Sequence, residues 1–329
     1  MRWILRTVAC LTLLVVFFLA FMWWSLHQAV TLPEAGIEYK VNKGQTIKSL
    51  SQDLAARGII PHASVFYWTA RVHEAQNSLR AGTYLLKPPL HQLALLQVFI
   101  DADLVQSKLT LIEGHTVKQA LKLLSDTDSL SGREQISTEL VAKHLGLNVD
   151  QLEGQLMADT YVYAQGQSAL QVVKQAHEKL QQVLAQEWEK RQPDLPYASA
   201  YEALIMASIV EKETGRSAER PYVASVFVNR LRLGMRLQTD PTVIYGMGEA
   251  FEGNIRKRDL QTDTPYNTYT RAGLPPTPIA MPGRESIRAA LHPAATDYLY
   301  FVARGDGSSE FSSHLSAHNR AVQKYQLGR

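Results

Sequence analysis

The sequence predicts an α+β chain: one membrane-spanning helix at the N-terminus, a small α/β module, and a mainly helical remainder that closes with a β-hairpin. Three observations predict it. Thr7–Leu26 is an apolar run without a charge. Residues 37–108 alternate short β-like segments with helical ones, punctuated by glycines. From Gly114 onward the apolar spacing is mostly helical, and Tyr298–Ala303 and Ser309–Ser312 flank Gly305-Asp306-Gly307 as a strand pair.

The 329 residues leave room for two or three domains with a sizeable core. Charge is nearly balanced, at a formal +3, and the basic residues are scattered, which argues against a nucleic-acid-binding stripe. The single cysteine, Cys10, lies in the apolar run, so the rest of the chain forms no internal disulfide. That suits a cytoplasmic protein, or an exported one whose core suffices without staples.

Arg2 and Arg6 precede the apolar run, whose length of about 20 residues matches the hydrocarbon thickness of a bilayer. Trp23 and Trp24 stand at its far end, where interfacial aromatics gather. A cleavable signal peptide has a shorter apolar region, roughly 7–15 residues, and a small-x-small site after it. Ser25-Leu26-His27-Gln28-Ala29-Val30 matches that site poorly. The expectation is an uncleaved single-pass anchor over residues 7–27, with residues 1–6 cytoplasmic and the bulk of the chain on the other side.

In residues 37–108 the predicted order begins with a strand at Glu38–Val41 and a turn around Gly44. A helix Ile47–Arg57 opens at Thr46 and ends at Gly58, and a second helix runs Ala63–His73. A strand Gly82–Leu86 and, after the Pro88-Pro89 break, a helix near Leu90–Ile100 complete it. Val41–Lys48 and Leu111–Lys118 share one unit: strand, turn glycine, threonine cap, helix. This is either an internal repeat or two coincident strand-turn-helix starts. The region 109–200 reads as mostly helical and connecting, with helices at Thr116–Ser125, Ser131–Leu145, Val149–Leu156 and Ser168–Arg191, and a strand-like piece at Asp159–Tyr163.

Helical spacing returns over Tyr201–Thr214, stopping at Gly215. Its last turn carries Glu211 and Glu213. Residues two apart on a helix point about 200° apart, so these carboxylates cannot share one site. Spacing alone does not choose between them. At a helix C-terminus the exposed carbonyls disfavour an ionised Glu, and partial burial acts in the same direction. A Glu that stays protonated near neutral pH is suited to general-acid work. The plainer alternative is a pair of solvated surface carboxylates beside Lys212.

Ser217 is positioned to cap the next helix, which carries Val223, Val226, Phe227 and Leu231 on one face and closes at Gly234. Asp240 is positioned to cap a short helix with Pro241 at its first position. Gly246–Pro282 is rich in Gly, Pro, Asn, Thr and Tyr, and long irregular segments of that kind often line binding sites. Its Tyr266-Asn267-Thr268-Tyr269 offers aromatic faces and amides that suit sugar rings. Helices at Ser286–Leu291 and Ser316–Tyr325 bracket the hairpin.

Some chemistries are disfavoured. There is no phosphate-binding P-loop and no nucleophile elbow. His314 and His318 have metal-ligand spacing without the HExxH glutamate, and read as ordinary polar histidines. Ordinary glycoside hydrolysis needs two carboxylates across one bond. Glu211 and Glu213 cannot supply both, which leaves Asp240 and Asp263 as loop-borne partners.

Residues 204–283 resemble the MltG (YceG-like) family of endolytic murein transglycosylases. The resemblance rests on Ala207–Thr214, Val223–Leu231, Met235–Gly246, Tyr266–Tyr269 and Gly273–Pro276, and extends more weakly from the apolar N-terminus to the C-terminus. The chain departs from the family pattern at Met157-Ala158, where an aromatic or leucine and then proline are usual. The resemblance implies a lytic-transglycosylase-like catalytic domain over 201–329. It implies a lyase that cleaves the MurNAc–GlcNAc β-1,4 bond within peptidoglycan glycan strands, the MurNAc C6 hydroxyl displacing the leaving sugar to form a 1,6-anhydro end. Glu213 is the catalytic acid and base carried over by motif. Gln238, Thr239, Asp240, Tyr266, Asn267 and Tyr269 are the candidate glycan contacts. No cofactor and no metal are implied. Further implications are a place in the bacterial inner membrane with the bulk in the periplasm, and a partnership with cell-wall synthases. Val41–Lys48 with Arg80–Tyr84 resembles a LysM-like module, a fold that binds N-acetylglucosamine-containing glycans; a structural cap without ligand is the alternative. Two further functions fit the same residues: a non-catalytic membrane-anchored peptidoglycan-binding scaffold, and a hydrolase in which Asp240 or Asp263 positions water.

Overall fold

The computed structural model describes residues 2–328. Met1 and Arg329, the outermost residues of the first and last predicted segments, lie outside them. The chain forms two compact units. The first takes in the chain up to Ser107, with Ser129–Ser131 and Val162–Gln167; the second takes in the remainder. The stretch 109–200, expected as a connecting region, contributes most of its residues to the second unit.

The first unit begins with helix α1 (Arg2–Leu26), whose segment Arg6–Leu26 is long and apolar enough to cross a membrane. Strand β1 (Ile37–Val41) pairs antiparallel with β2 (Gly82–Leu86), setting Tyr39 opposite Tyr84. Between them lie α2 (Ile47–Ala56) and α3 (Ala63–Val72); α4 (Gln92–Ile100) follows. Tyr39, Leu50, Leu54, Phe66, Tyr84, Leu95 and Phe99 share one core. The predicted start at Leu90 moves to Gln92, because His91 is the N-cap and its Nδ1 accepts from the Ala94 amide at 3.0 Å.

Both predicted strand-turn-helix starts form. Gly44 and Gly114 take left-handed φ values of 81° and 74°, which a side chain would strain. Thr46 and Thr116 each accept from the amide three residues on, Ser49 and Gln119, and each helix start is closed by a reciprocal bond. Strand β3 (Gln106–Thr110) leads to the second start and pairs with β4 (Thr160–Ala164) in a separate two-stranded sheet.

In the second unit, α5 (Val117–Ser125) follows the Thr116 cap. The helix expected over Ser131–Leu145 is interrupted: Gly132 is left-handed, Ile136 is extended, and α6 (Thr138–Leu145) starts afresh at its own cap, Ser137. The helix expected over Val149–Leu156 is a single 3-10 turn, Val149–Gln151. Its apolar residues Leu152 and Leu156 are buried by tertiary packing. Gly154 then turns at φ 74°, where a Cβ would meet Pro278 at 2.4 Å.

Helices α7 (Ala169–Glu189), α8 (Ala200–Glu213) and α9 (Arg220–Arg232) form the centre. Every residue of α8 from Ala203 to Val210 is buried, so this is a core helix apolar on all sides. It ends because Thr214 is extended, one residue before the predicted stop at Gly215. Helix α9 starts from Glu219 rather than Ser217, with Pro221 in its first turn, where a missing amide costs nothing. Helix α10 (Asp240–Met247) has Thr239 as its N-cap residue, so Asp240 is the first helical residue and not the cap. The irregular segment contains a 3-10 turn, Gly248–Ala250, and a short α-helix, α11 (Lys257–Gln261). Helix α12 (Arg284–Leu291) packs on α8 and α9; β5 (Tyr300–Ala303) and β6 (Ser309–Ser312) form the predicted hairpin; and α13 (Leu315–Tyr325) closes against it.

Candidate active site

The end of α8 delivers Glu213 into a cavity of about 670 Å³. Its other walls come from Phe227 and Arg230 of α9, from Leu237, Gln238 and Asp240, from Tyr269, from Tyr300 and Val302 of β5, and from Leu315, His318 and Asn319 of α13; Thr239 lies buried behind them at 2% exposure. Glu213 and Glu211 face different surroundings, as two residues on opposite sides of a helix must. Glu211 is only 6% exposed and bonded on both oxygens: Arg220, itself 8% exposed, donates at 3.2 Å, and the Gly283 amide donates at 2.9 Å. It is a buried structural anion.

Glu213 has the opposite character. Burial pushes its pKa up to about 7, and the charge of Asp240 adds to the rise. The Thr239 hydroxyl, which donates to its Oε1, and the nearby Arg230 cation pull the other way without winning. The carboxyl thus keeps its proton in about half of the molecules at pH 7, and is oriented by a fixed donor.

Around it the polar groups are tied down. Tyr269 Oη donates to Asp240 at 2.6 Å, and burial followed by that bond holds the phenol well above its usual range. Arg230 donates to the carbonyls of Leu299 and Leu237, each at 2.7 Å, and lies 5.3 Å from the centre of the Tyr300 ring. Gln238 sits at φ 50°, a left-handed conformation that costs a non-glycine residue free energy. Its amide is held by the Thr268 carbonyl at 3.1 Å, and Thr268 Oγ1 accepts from the Thr239 amide at the same distance.

The structure therefore brings Glu213, Gln238, Thr239, Asp240 and Tyr269 together. Two expected glycan contacts lie elsewhere. Tyr266 bonds Thr277 Oγ1 at 2.8 Å and packs edge-on against Tyr245, off the cavity. Asn267 is 1% exposed, and its amide nitrogen donates to the carbonyls of Asp259, Leu260 and Thr262. It frames the loop that carries Tyr269, whose amide it accepts at 2.9 Å. Asn267→Ala leaves those carbonyls with one donor fewer, and stability should fall by about 1–3 kcal/mol in urea unfolding. Binding of glycan by the folded fraction should be unchanged, which separates a framing role from a contact role.

Asp263 is likewise away from the cavity. It forms an exposed two-point pair with Arg271, which pulls its pKa down to about 2. His318 lines the cavity, stacks on Tyr300 at 5.1 Å, and is held below the usual histidine range by burial and then by Arg230. His314 is the N-cap residue of α13 and is not among the cavity-lining residues. Among the described residues no group of three or more His, Cys, Asp or Glu is placed to hold a metal ion. The sequence reading missed Arg230, Tyr300, His318 and Asn319 as neighbours of Glu213. Arg230 was visible inside the Val223–Leu231 run; nothing local ties the other three to Glu213.

A profile of the YceG-like family matches residues 39–324. A protein of Bacillus subtilis (strain 168) named endolytic murein transglycosylase is 30% identical over 307 residues, covering 88% of this chain and 84% of its own length. A Streptococcus pneumoniae (strain D39) protein of the same name is 24% identical over 327 residues, and there the match spans 57% of the relative's length. Among solved structures, a 2.6 Å crystal structure of a yceG-like protein from Listeria monocytogenes is similar. It has a TM-score of 0.56 and 32% sequence identity, and the match covers 88% of this chain and 99% of that one.

Proposed function

We propose that this chain, which belongs to the YceG-like family, is an endolytic murein transglycosylase: a lyase that cuts peptidoglycan glycan strands internally. The observation that carries the reading is Glu213, whose pKa burial raises to about 7, on a cavity of saccharide-accommodating size. The relatives named above carry the same activity in their names.

The reaction needs one proton donor that becomes a proton acceptor. Glu213 gives its proton to the glycosidic oxygen as the bond from that oxygen to the MurNAc C1 breaks. The MurNAc C6 oxygen bonds to C1, and the Glu213 carboxylate takes the C6 hydroxyl proton. Atoms balance without water, and the enzyme returns to its starting state. Thr239, by donating to Oε1, leaves Oε2 to carry the proton. Asp240, at the first position of α10 and bonded by Tyr269, supplies negative charge as the sugar ring develops oxocarbenium character. Gln238 and Tyr269 offer an amide and a ring to the sugar. Burial of the site by glycan keeps Glu213 neutral during the first half of the exchange.

On the same reading α1 is a single-pass anchor in the inner membrane and the chain after it lies in the periplasm; length and composition alone also fit a signal sequence. The interfacial Trp23 and Trp24 and the poor cleavage site favour the anchor. Residues 37–108, through Val41–Lys48 with Arg80–Tyr84, are read as a LysM-like module, a glycan binder or a structural cap. Residues 201–329 are read as the lytic-transglycosylase-like catalytic domain, and cell-wall synthases as the partners.

The test is product analysis. Full-length protein incubated with intact sacculi should release fragments ending in 1,6-anhydroMurNAc, seen by mass spectrometry. Fragments heavier by one water would make it a hydrolase, and binding without new chain ends would make it a scaffold.

A further inference from the structure

Helix α1 and the segment after it are bonded to the rest of the first unit. Ser25, in the last turn of α1, is fully buried, and its carbonyl accepts from the equally buried Gln92 Nε2 at 2.6 Å. Four residues later Ala29 bridges to His91, the Val30 amide donates to Leu90 at 2.8 Å, and the Thr31 amide donates to Ile59 at 3.1 Å. Helix α1 packs its final turns on α3 and α4. The ring of His62, the N-cap residue of α3, lies 6.0 Å from that of Phe21, and the ring of His91 lies 5.6 Å from that of His27.

These contacts set a depth. Arg6–Leu26 has 21 residues, which at about 1.5 Å each just span a hydrocarbon core of about 30 Å. No length is left over. Phe21 precedes Leu26 by five residues, about 8 Å along the axis, and stands before the interfacial pair Trp23 and Trp24. Whatever packs beside Phe21 is therefore at or inside the headgroup layer. That is the turn ahead of α3. The same helix leaves an apolar face exposed: Trp68, edge-on to its neighbour Tyr67, is 61% exposed and Val72, one turn on, 78%, with the exposed Arg71 beside them. A Trp with a neighbouring Arg is suited to the membrane–water boundary.

We propose that the first unit is seated on the bilayer, with the Pro61–Ser64 turn and the Trp68–Val72 face of α3 lying among phospholipid headgroups beside the end of α1. The occupant of that face is lipid, because its stripe of exposed residues, Ser64, Trp68 and Val72, begins at the turn whose His62 ring lies against Phe21 of α1. The inference rests on the anchor reading of α1. Its consequence is that the first unit cannot swing out on a tether, and meets glycan that lies close to the membrane surface.

The test uses the full-length chain carrying W3F, W23F, W24F and W188F, so that Trp68 is the single tryptophan. It is reconstituted in phosphatidylethanolamine–phosphatidylglycerol vesicles, with and without lipid bearing a nitroxide near the headgroup. Co-flotation with vesicles at alkaline pH, loss of Trp68 emission on adding the nitroxide lipid, and shielding from aqueous iodide are expected. Flotation with Trp68 quenched by iodide and not by the lipid would overturn the seating alone. Failure to float would remove the anchor and the seating together. Should the four substitutions impair folding, C10S/S64C labelled with a nitroxide reads the same turn. Relaxation by lipid-soluble oxygen above that by a water-soluble nickel chelate supports the seating, and the reverse overturns it.

Discussion

Glu213→Gln should abolish the release of anhydro-ended glycans while the protein still folds, with a loss in turnover of about a hundred- to ten-thousand-fold. Gln retains the shape and can still accept from the Thr239 hydroxyl, but it cannot deliver a proton. Mass spectrometry of digests from wild type and variant decides it; undiminished product would reject Glu213. The pH dependence follows from the same carboxyl. Its protonated form begins the reaction, so wild-type turnover should fall as pH rises through about 7. Stability carries the same sign. Between the usual carboxylate range and about pH 7, the folded protein holds a proton at Glu213 that the unfolded chain has released. Wild-type stability from this group is therefore lost as pH rises through that window. Gln has no such proton, so the variant should gain on the wild type in urea midpoint between pH 5 and pH 8. Equal loss at both values would mean that the carboxyl is needed for packing.

Arg220→Met should cost about 3–5 kcal/mol of stability, because it strands Glu211 as a buried charge. Arg220 is also approached by Glu113 at 3.7 Å and Glu285 at 3.6 Å, both far more exposed than Glu211. Removing the cation leaves three carboxylates facing one another. Burial, followed by the Glu211 charge, already raises the Glu113 pKa. Glu211 also accepts from the Gly283 amide at the start of α12, which packs on α8, so the damage should spread to the helix that carries Glu213. Chemical unfolding of R220M measures the loss. The double variant R220M/E211L should recover a large part of it, since an apolar pair of similar volume removes the stranded charge. A double variant no better than R220M would show that Arg220 acts through its bonds elsewhere.

Several features follow from the sequence by local physics. The length of the first apolar run gives α1. The Thr46 and Thr116 caps and the glycines before them give two helix starts, because a cap is satisfied within three residues. Strand β2 occupies the predicted Gly82–Leu86. The divergence of Glu211 and Glu213 follows from helix geometry alone. Periodicity failed where burial came from distant neighbours. Leu152 and Leu156 looked helical because they are apolar and spaced, yet they are buried by other segments around a left-handed glycine. Asn267 and Tyr269 looked alike as polar loop residues; one is consumed by three carbonyls and the other reaches Asp240.

What the sequence by itself determined was those elements whose caps and spacing act locally and, through the resemblance of its motifs, the family. Tertiary structure decided which carboxyl is neutral. Glu211 loses its freedom to an arginine nine residues on and to an amide from α12, while Glu213 is enclosed by a turn, a strand and the last helix of the chain. The reason is physical: hydrophobic spacing and capping act within a few residues, whereas desolvation and charge pairing depend on groups that only folding brings near.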